Sequence, residues 1–206
     1  MSLRLSAMSL VLCVTLSGCA SVDYVPETGW GDNGWRADFY EEWFGGQLAA
    51  AGEPSLAKPA DLGDSSSRFR LLILPTFSPA SVYRIDQAGS GEMTLTYTLL
   101  NGAGGYDPGR IEVRTHRELT ADEKRNFSNA LDDAKLSSPQ PVARLSATVD
   151  EDGNEIITIC ADGTRIVVES LSRNQRTFIT RHECELERYP ELGNLYTTVA
   201  SLSSPD

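Results

Sequence analysis

The sequence has little basic charge and few of the residues and motifs that usually carry chemistry. Eighteen lysines and arginines stand against 29 aspartates and glutamates, which gives a net charge of −11, and there are only two histidines. A surface of this sign repels phosphate backbones, so we expect no nucleic acid partner. A Gly-x-Ser-x-Gly motif, a complete EF-hand loop and a phosphate loop with its lysine are all missing. The sequence therefore indicates no hydrolase activity, calcium site or cofactor.

The amino-terminal sequence lacks an apolar run long enough for a permanent membrane span. A stable spanning helix needs ~20 apolar residues. The stretch from Leu5 to Leu16 is shorter, follows Arg4 and precedes Ser17-Gly18-Cys19. A charged start, an apolar stretch and small residues in that order predict a processing signal. An ordinary cleaved leader, in which Cys19 has no role, is the alternative.

The four residues Leu16-Ser17-Gly18-Cys19 resemble the lipobox of bacterial lipoproteins. The resemblance implies a signal peptide over residues 1–18 and a lipid anchor, palmitate included, attached to Cys19. In that family the residue after the cysteine directs sorting, and Ala20 in place of aspartate implies delivery to the outer membrane. We therefore expect the chain on the periplasmic side of the outer membrane, in contact with it through the anchor.

A polar tether and a short aromatic helix are predicted next. Residues 19–34 are polar and rich in glycine, as suits a tether. A helix is predicted over residues 35–48, where Phe39 and Trp43 stand one turn apart. The candidate partner-binding residues are the three tryptophans of this region: Trp30, Trp35 and Trp43. We expect them to dock on the domain, on a partner protein or at the lipid interface.

Residues 35–206 are predicted to form a single α+β domain with a linker at 49–67. The expected fold is an antiparallel sheet of about six or seven strands with two or three covering helices. Further helices are predicted at 120–135, which begins with a capping box, and at 190–202, which begins with a proline. The first four predicted strands are 69–74, 81–87, 93–99 and 111–116. The strand at 93–99 alternates apolar residues with threonine and is predicted to be half-buried.

Three more strands are predicted in the last third of the chain. They are 155–160, 164–171 and 176–184, joined by short turns that favour hairpins. If they pair in chain order, Ile157 faces Val168 and Val168 faces Ile179, which places apolar residues on one face.

Cys160 and Cys184 are the thiols that remain after the leader is removed and Cys19 takes lipid. An oxidising compartment favours a disulfide between them. In the predicted register a strand separates the two by ~10 Å, whereas a disulfide tolerates ~7 Å between Cα atoms. Either the strand ends curl together or the register is wrong. The alternatives are two free thiols or a metal site that adds His182 to the two cysteines. Otherwise, His116 and His182 are expected to be solvated strand residues.

The mature chain resembles a group of uncharacterised bacterial lipoproteins and secreted proteins. The resemblance rests on these motifs: Trp43-Phe44, Gly52-Glu53-Pro54, Leu74-Pro75-Thr76-Phe77, Gly104-Gly105-Tyr106-Asp107-Pro108-Gly109 and Asp162-Gly163-Thr164 with Glu169. It implies one folded domain and no assigned activity. We therefore expect a non-enzymatic binding or assembly module of the cell envelope that holds a protein partner. The alternative is a metal-dependent enzyme or metal-binding protein that uses Cys160, His182 and Cys184.

Overall fold

The structure is a computed structural model that describes residues 23–26, 35–136, 147–157, 160 and 162–203. The predicted signal peptide, the lipobox with Cys19 and Trp30 lie outside these residues. For Trp35 the structure describes the backbone, which starts a helix, but not the side chain. Among the described residues, no helix combines the length and the apolar character that crossing a membrane requires.

The described chain forms the predicted α+β fold around an open antiparallel sheet of six strands. The sheet order is β4-β3-β2-β1-β7-β8, and β5 and β6 form a separate two-stranded hairpin. The strands are β1 Ser65–Pro75, β2 Ser81–Ala88, β3 Met93–Leu100, β4 Ile111–Glu118, β5 Ala147–Val149, β6 Glu155–Ile157, β7 Thr164–Ser172 and β8 Arg176–His182. The predicted strands therefore exist, and β1 to β4 pair antiparallel in chain order.

Two of the helices cover one face of the sheet. They are α3, Ala121–Asp133, and α4, Pro190–Ala200; a capping box at Thr120 and Glu123 begins α3, and Pro190 begins α4, both as predicted. Leu71 and Ile73 of β1 point to this face and join its apolar cluster. The apolar side of α4 adds Leu192, Leu195 and Val199 to that cluster, and Leu202 of the 3-10 turn Ser201–Ser203 completes it.

The opposite face of the sheet is covered by the amino-terminal helical segment. It consists of α1, Trp35–Tyr40, a wide π-helical turn, Glu41–Gly45, and α2, Gly46–Ala50. Its buried Phe44 and Leu48 pack on residues such as Leu72 of β1. The prediction that β3 is half-buried is therefore wrong, since Thr96 and Thr98 are also buried, at 5% and 0% exposed.

The predicted pairing of the last strands is correct in one half and wrong in the other. Val168 pairs with Ile179 as predicted, but its other neighbour is Leu71 of β1, not Ile157. Residues Glu155–Ile157 instead pair with Ala147–Val149. β1 is an eleven-residue strand, and the whole of β7 pairs along its edge. Because β1 lies far from β7 in the chain, this pairing leaves no signal in the residues near the β6–β7 turn.

The predicted tether and linker both lie partly against the domain. Tyr24 and Val25, inside the tether, are buried in the cluster under α1 and α2, so the tether is shorter than predicted. Within 49–67, α2 ends at Ala50 and β1 begins at Ser65. Leu56 of the intervening segment is fully buried beside the sheet. The linker therefore acts as a packed connection between two elements.

Candidate binding surface

Three aromatic side chains meet at the surface where α1 and the β3–β4 loop approach each other. Phe39 comes from α1, Trp43 from the π-helical turn and Tyr106 from the loop. Their ring centroids lie 5.7 Å (Phe39–Trp43), 6.1 Å (Phe39–Tyr106) and 5.0 Å (Trp43–Tyr106) apart. With the exposed Glu42 they line a cavity of about 250 Å³. We call these four residues the aromatic pocket.

The aromatic pocket is open to solvent, unlike the aromatic residues behind it. Phe39 is 37% exposed and Tyr106 is 68% exposed, whereas Phe44, one residue from Trp43, is fully buried. The exposed parts of the Phe39 and Tyr106 rings lack the favourable free energy of transfer from water that full burial would give. Clustered exposed aromatics of this kind mark interaction sites more often than scattered ones do.

Trp43 and Phe44 are neighbours in the π-helical turn but lie at different depths. Phe44 stacks on Tyr40 at 4.8 Å under the helix, while the half-buried Trp43 is left towards the surface. Glu41 in the same turn accepts hydrogen bonds from the backbone N–H groups of Tyr24 at 3.0 Å and of Val25 at 2.6 Å. The widened turn is thus held by the chain that precedes it. Such turns are frequent at functional sites.

The loop that carries Tyr106 is held by hydrogen bonds, and it packs so closely that a side chain at Gly104 would not fit. The Gly105 carbonyl accepts hydrogen bonds from Trp43 Nε1 at 2.8 Å and from Gln47 Nε2 at 3.1 Å. Gly104 has a φ of +91°, and a Cβ there would stand 2.5 Å from the Ser78 carbonyl oxygen. Tyr106 is therefore presented on a pre-formed loop, which reduces the entropy lost when a partner binds.

A buried ionic network ties the segment that follows α2 to the sheet. Arg70 of β1 is fully buried; its Nε donates to Glu169 of β7 at 2.7 Å, and its NH1 group donates to the Pro54 carbonyl at 2.6 Å. Glu53, also buried, accepts from Arg84 of β2 at 3.0 Å. Sequence reasoning missed this network, because its central bond joins Arg70 and Glu169, which are 99 residues apart in the chain.

Tyr24 closes the same network from the amino-terminal side. Its hydroxyl donates to the Glu53 carbonyl at 2.9 Å, and its own carbonyl accepts from Arg176 of β8 at 2.6 Å. Burial raises the pKa of the Tyr24 phenol, so the hydroxyl keeps its proton and remains a donor. The segment 23–26 is consequently bound to β8 and to the connection between α2 and β1.

The predicted disulfide and the predicted metal ligands meet at one end of the β7–β8 hairpin. Cys160 precedes β7 and Cys184 follows β8, and a disulfide joins them with their Cα atoms 6.5 Å apart. Glu155–Ile157 pair with β5 and not with β7, so β7 does not separate the two cysteines as the predicted register had it. This corrects the expected spacing of ~10 Å. His182 Nδ1 accepts a hydrogen bond from the Cys184 N–H at 3.3 Å.

The same three residues bring together ligand atoms that lie within 4.8 Å of one another. Burial, followed by the charge of Arg165, lowers the pKa of His182, which keeps its imidazole neutral. The disulfide occupies both sulfurs, so metal binding there requires reduction first. His182 is buried, at 7% exposed, so the prediction that it is a solvated residue is wrong. His116 is exposed on the edge strand β4, and its Nδ1 lies 3.0 Å from Thr96 Oγ1.

Of the tryptophans predicted to bind a partner, the structure describes only the side chain of Trp43, and it places Trp43 in the aromatic pocket. Tyr106 was not predicted as a site residue. The available signal was an aromatic residue set among four glycines in the 101–109 loop. No protein-family model matches the sequence, and no curated protein matches it either.

Proposed function

We propose that the chain is a lipid-anchored envelope protein on the periplasmic side of the outer membrane and acts as a non-enzymatic binding module for a protein partner. The observation that carries the binding role is the aromatic pocket, whose exposed rings include Tyr106 on a loop that hydrogen bonds already hold in place. Tyrosine and tryptophan are enriched where proteins recognise proteins, because they offer a large contact area with little side-chain entropy.

The net charge of −11 supports a protein partner over direct adsorption to a membrane. An anionic leaflet repels the acidic residues around the pocket, among them the exposed Asp38 and Glu42. Attachment to the membrane is then left to the lipid on Cys19, and the folded body remains available for a partner.

A photo-crosslinking experiment in intact cells tests the binding role. A photoreactive phenylalanine such as p-benzoylphenylalanine replaces Tyr106 in one strain and, as the control, Tyr189, which is 36% exposed on the stretch that leads into α4. We expect one discrete adduct from position 106 and none of that mass from position 189. The adduct should disappear when Phe39→Ala is added. Equal adducts from both positions, or none from position 106, would contradict the proposal.

The chain supplies its own control for the anchor. Cys19→Ser should abolish incorporation of labelled palmitate and release the protein from the membrane fraction, whereas Cys13→Ser, inside the predicted leader, should change neither. Membrane association of the Cys19→Ser protein equal to that of the parent would overturn the anchoring.

A metal-dependent role for Cys160, His182 and Cys184 is the second candidate, favoured by the closeness of their ligand atoms. Intact-protein mass spectrometry and zinc analysis of the full chain, each with and without reductant, distinguish the two roles. Stoichiometric zinc that appears on reduction and is lost in His182→Ala would support the metal role. A mass two hydrogens below that of the reduced chain when no reductant is present, together with no bound zinc under either condition, supports the binding module.

A further inference from the structure

We infer that the aromatic pocket receives a cationic side chain, the lysine or arginine of a basic protein partner. This inference rests on the proposed function and names the chemistry of the partner. Three aromatic rings within 6.1 Å of one another line the cavity together with the acidic residue Glu42. The faces of such rings are negative, and a cation placed among them is attracted by each ring.

The dimensions and the charge of the site agree with one long cationic side chain. A cavity of about 250 Å³ is too small for a folded surface but accommodates a side chain that a partner inserts. Glu42 is exposed at the cavity wall, and Asp38 is exposed on the adjoining turn of α1. The acidic chain as a whole attracts a basic partner over a longer range, which raises its rate of association.

The protein already shows that the Trp43 ring accepts a cation. The guanidinium carbon of Arg165 lies 5.8 Å from the centroid of that ring. Because Arg165 would repel a second cation, the site depends on Glu42 to restore a favourable potential at the cavity. The carboxylate of Glu42 therefore belongs to the recognition site together with the rings.

A pair of small probes tests the inference on the full-length chain in detergent micelles. Nα-acetyl-lysine methylamide carries the ammonium group, and Nα-acetyl-norleucine methylamide offers a similar alkyl chain without charge. Binding is followed through the indole N–H resonance of Trp43, which is assigned from its loss in Trp43→Phe. We expect the lysine probe to bind about fivefold more tightly than the norleucine probe. Equal affinity would overturn the inference.

Variants of Tyr106 and Glu42 separate cation recognition from simple apolar contact. Tyr106→Phe keeps an aromatic face and should leave lysine-probe affinity unchanged, whereas Tyr106→Leu should lower it about fivefold. Glu42→Gln should lower it about threefold, and Glu191→Gln, the same change in an exposed residue of α4 on the far side of the sheet, should not. Undiminished binding by Tyr106→Leu would also overturn the inference.

The two proposals fail in different experiments. Suppose that the position-106 adduct forms equally well with Glu42 and with Glu42→Gln, and that both probes bind equally. The protein partner would then stand, and the recognition of a cationic side chain would be overturned. Selective binding of the lysine probe without any adduct in cells would keep the cation-binding pocket and overturn the proposed protein partner.

Discussion

Arg70 attaches the chain that follows α2 to the sheet through buried hydrogen bonds. Its fully buried guanidinium is shared between the Glu169 carboxylate and the Pro54 carbonyl. Arg70→Met leaves Glu169 charged and buried without this partner, so we expect a loss of about 3–5 kcal/mol in the free energy of unfolding, measured in urea. Arg125→Met, which breaks the exposed pair with Asp122, should cost less than about 1 kcal/mol.

A double variant isolates the cause of that loss. Arg70→Met with Glu169→Leu removes the stranded carboxylate, so the pair should be more stable than Arg70→Met alone by about 1 kcal/mol or more. A double variant that loses the sum of the two single effects would show that the charges act independently.

Glu123 should make part of the stability of the fold dependent on acid pH. Hydrogen bonds from Arg117, opposed by partial desolvation and aided by the Thr120 backbone N–H, lower its pKa from 4.5 to about 2. A carboxylate with a lowered pKa in the folded state stabilises the fold above its unfolded-state pKa, and this contribution is lost as the pH falls from about 4.5 to about 2.

Comparison of Glu123→Gln with the parent checks this dependence. Because the pair is open to solvent, the variant should be less stable at pH 7 by about 1 kcal/mol or less, and the difference should vanish only below about pH 2. Urea unfolding at stepwise lower pH measures it. Asp122→Asn, the same kind of change in the adjacent exposed residue, serves as the control. A difference that stays constant across this range would contradict the assigned hydrogen bonds.

At the scale of elements, what could be predicted from the sequence depends on whether the signal was local. The capping box at Thr120 and the alternation in Met93–Leu100 each specify an element from its own residues, and both were predicted. The pairing of β7 with β1 is set by residues about a hundred positions apart, so the neighbouring hairpin motif favoured the wrong partner for Glu155–Ile157. The candidate site divided in the same way: Trp43 was predicted, whereas Tyr106 reaches it from 63 positions further along the chain.

The β3–β4 loop allows its rigid packing to be tested against a matched glycine. Gly104 and Gly91 have nearly equal φ angles, +91° and +89°. A Cβ at Gly104 would lie 2.5 Å from the Ser78 backbone, whereas a Cβ at Gly91 would have no atom within 4 Å. Gly91→Ala should therefore cost about 1–2 kcal/mol for its backbone conformation alone. Gly104→Ala should cost more, and it should displace the Trp43 indole resonance because the Gly105 carbonyl moves.

Equal losses in the two alanine variants, with the Trp43 resonance unmoved in both, would mean that the loop adapts readily. In that case Tyr106 would not be held in advance of binding. The unfolding free energies and the indole resonances, recorded on the same samples, decide between a pre-formed and an adaptable loop.

At the scale of the whole molecule, the two covered faces of the sheet should unfold as one unit. Adjacent residues of the same strands, such as Leu71 and Leu72 of β1, belong to opposite apolar clusters. Loosening either helical layer therefore exposes strands that the other layer also needs. Phe44→Ala empties the cluster under α1 and α2, and Phe127→Ala empties the cluster under α3 and α4; each ring is at most 3% exposed. Each variant should lose about 3–5 kcal/mol.

The test of this unity is the shape of the unfolding transition. Far-UV circular dichroism and tryptophan fluorescence should give a single coincident transition for the parent and for both variants, because the tryptophan-bearing segment does not leave the sheet before the sheet itself unfolds. Phe39→Ala, which alters an exposed ring of the aromatic pocket, should change stability by less than about 1 kcal/mol. A fluorescence transition that precedes the loss of sheet in Phe44→Ala alone would show that the amino-terminal layer is a separate, weaker unit.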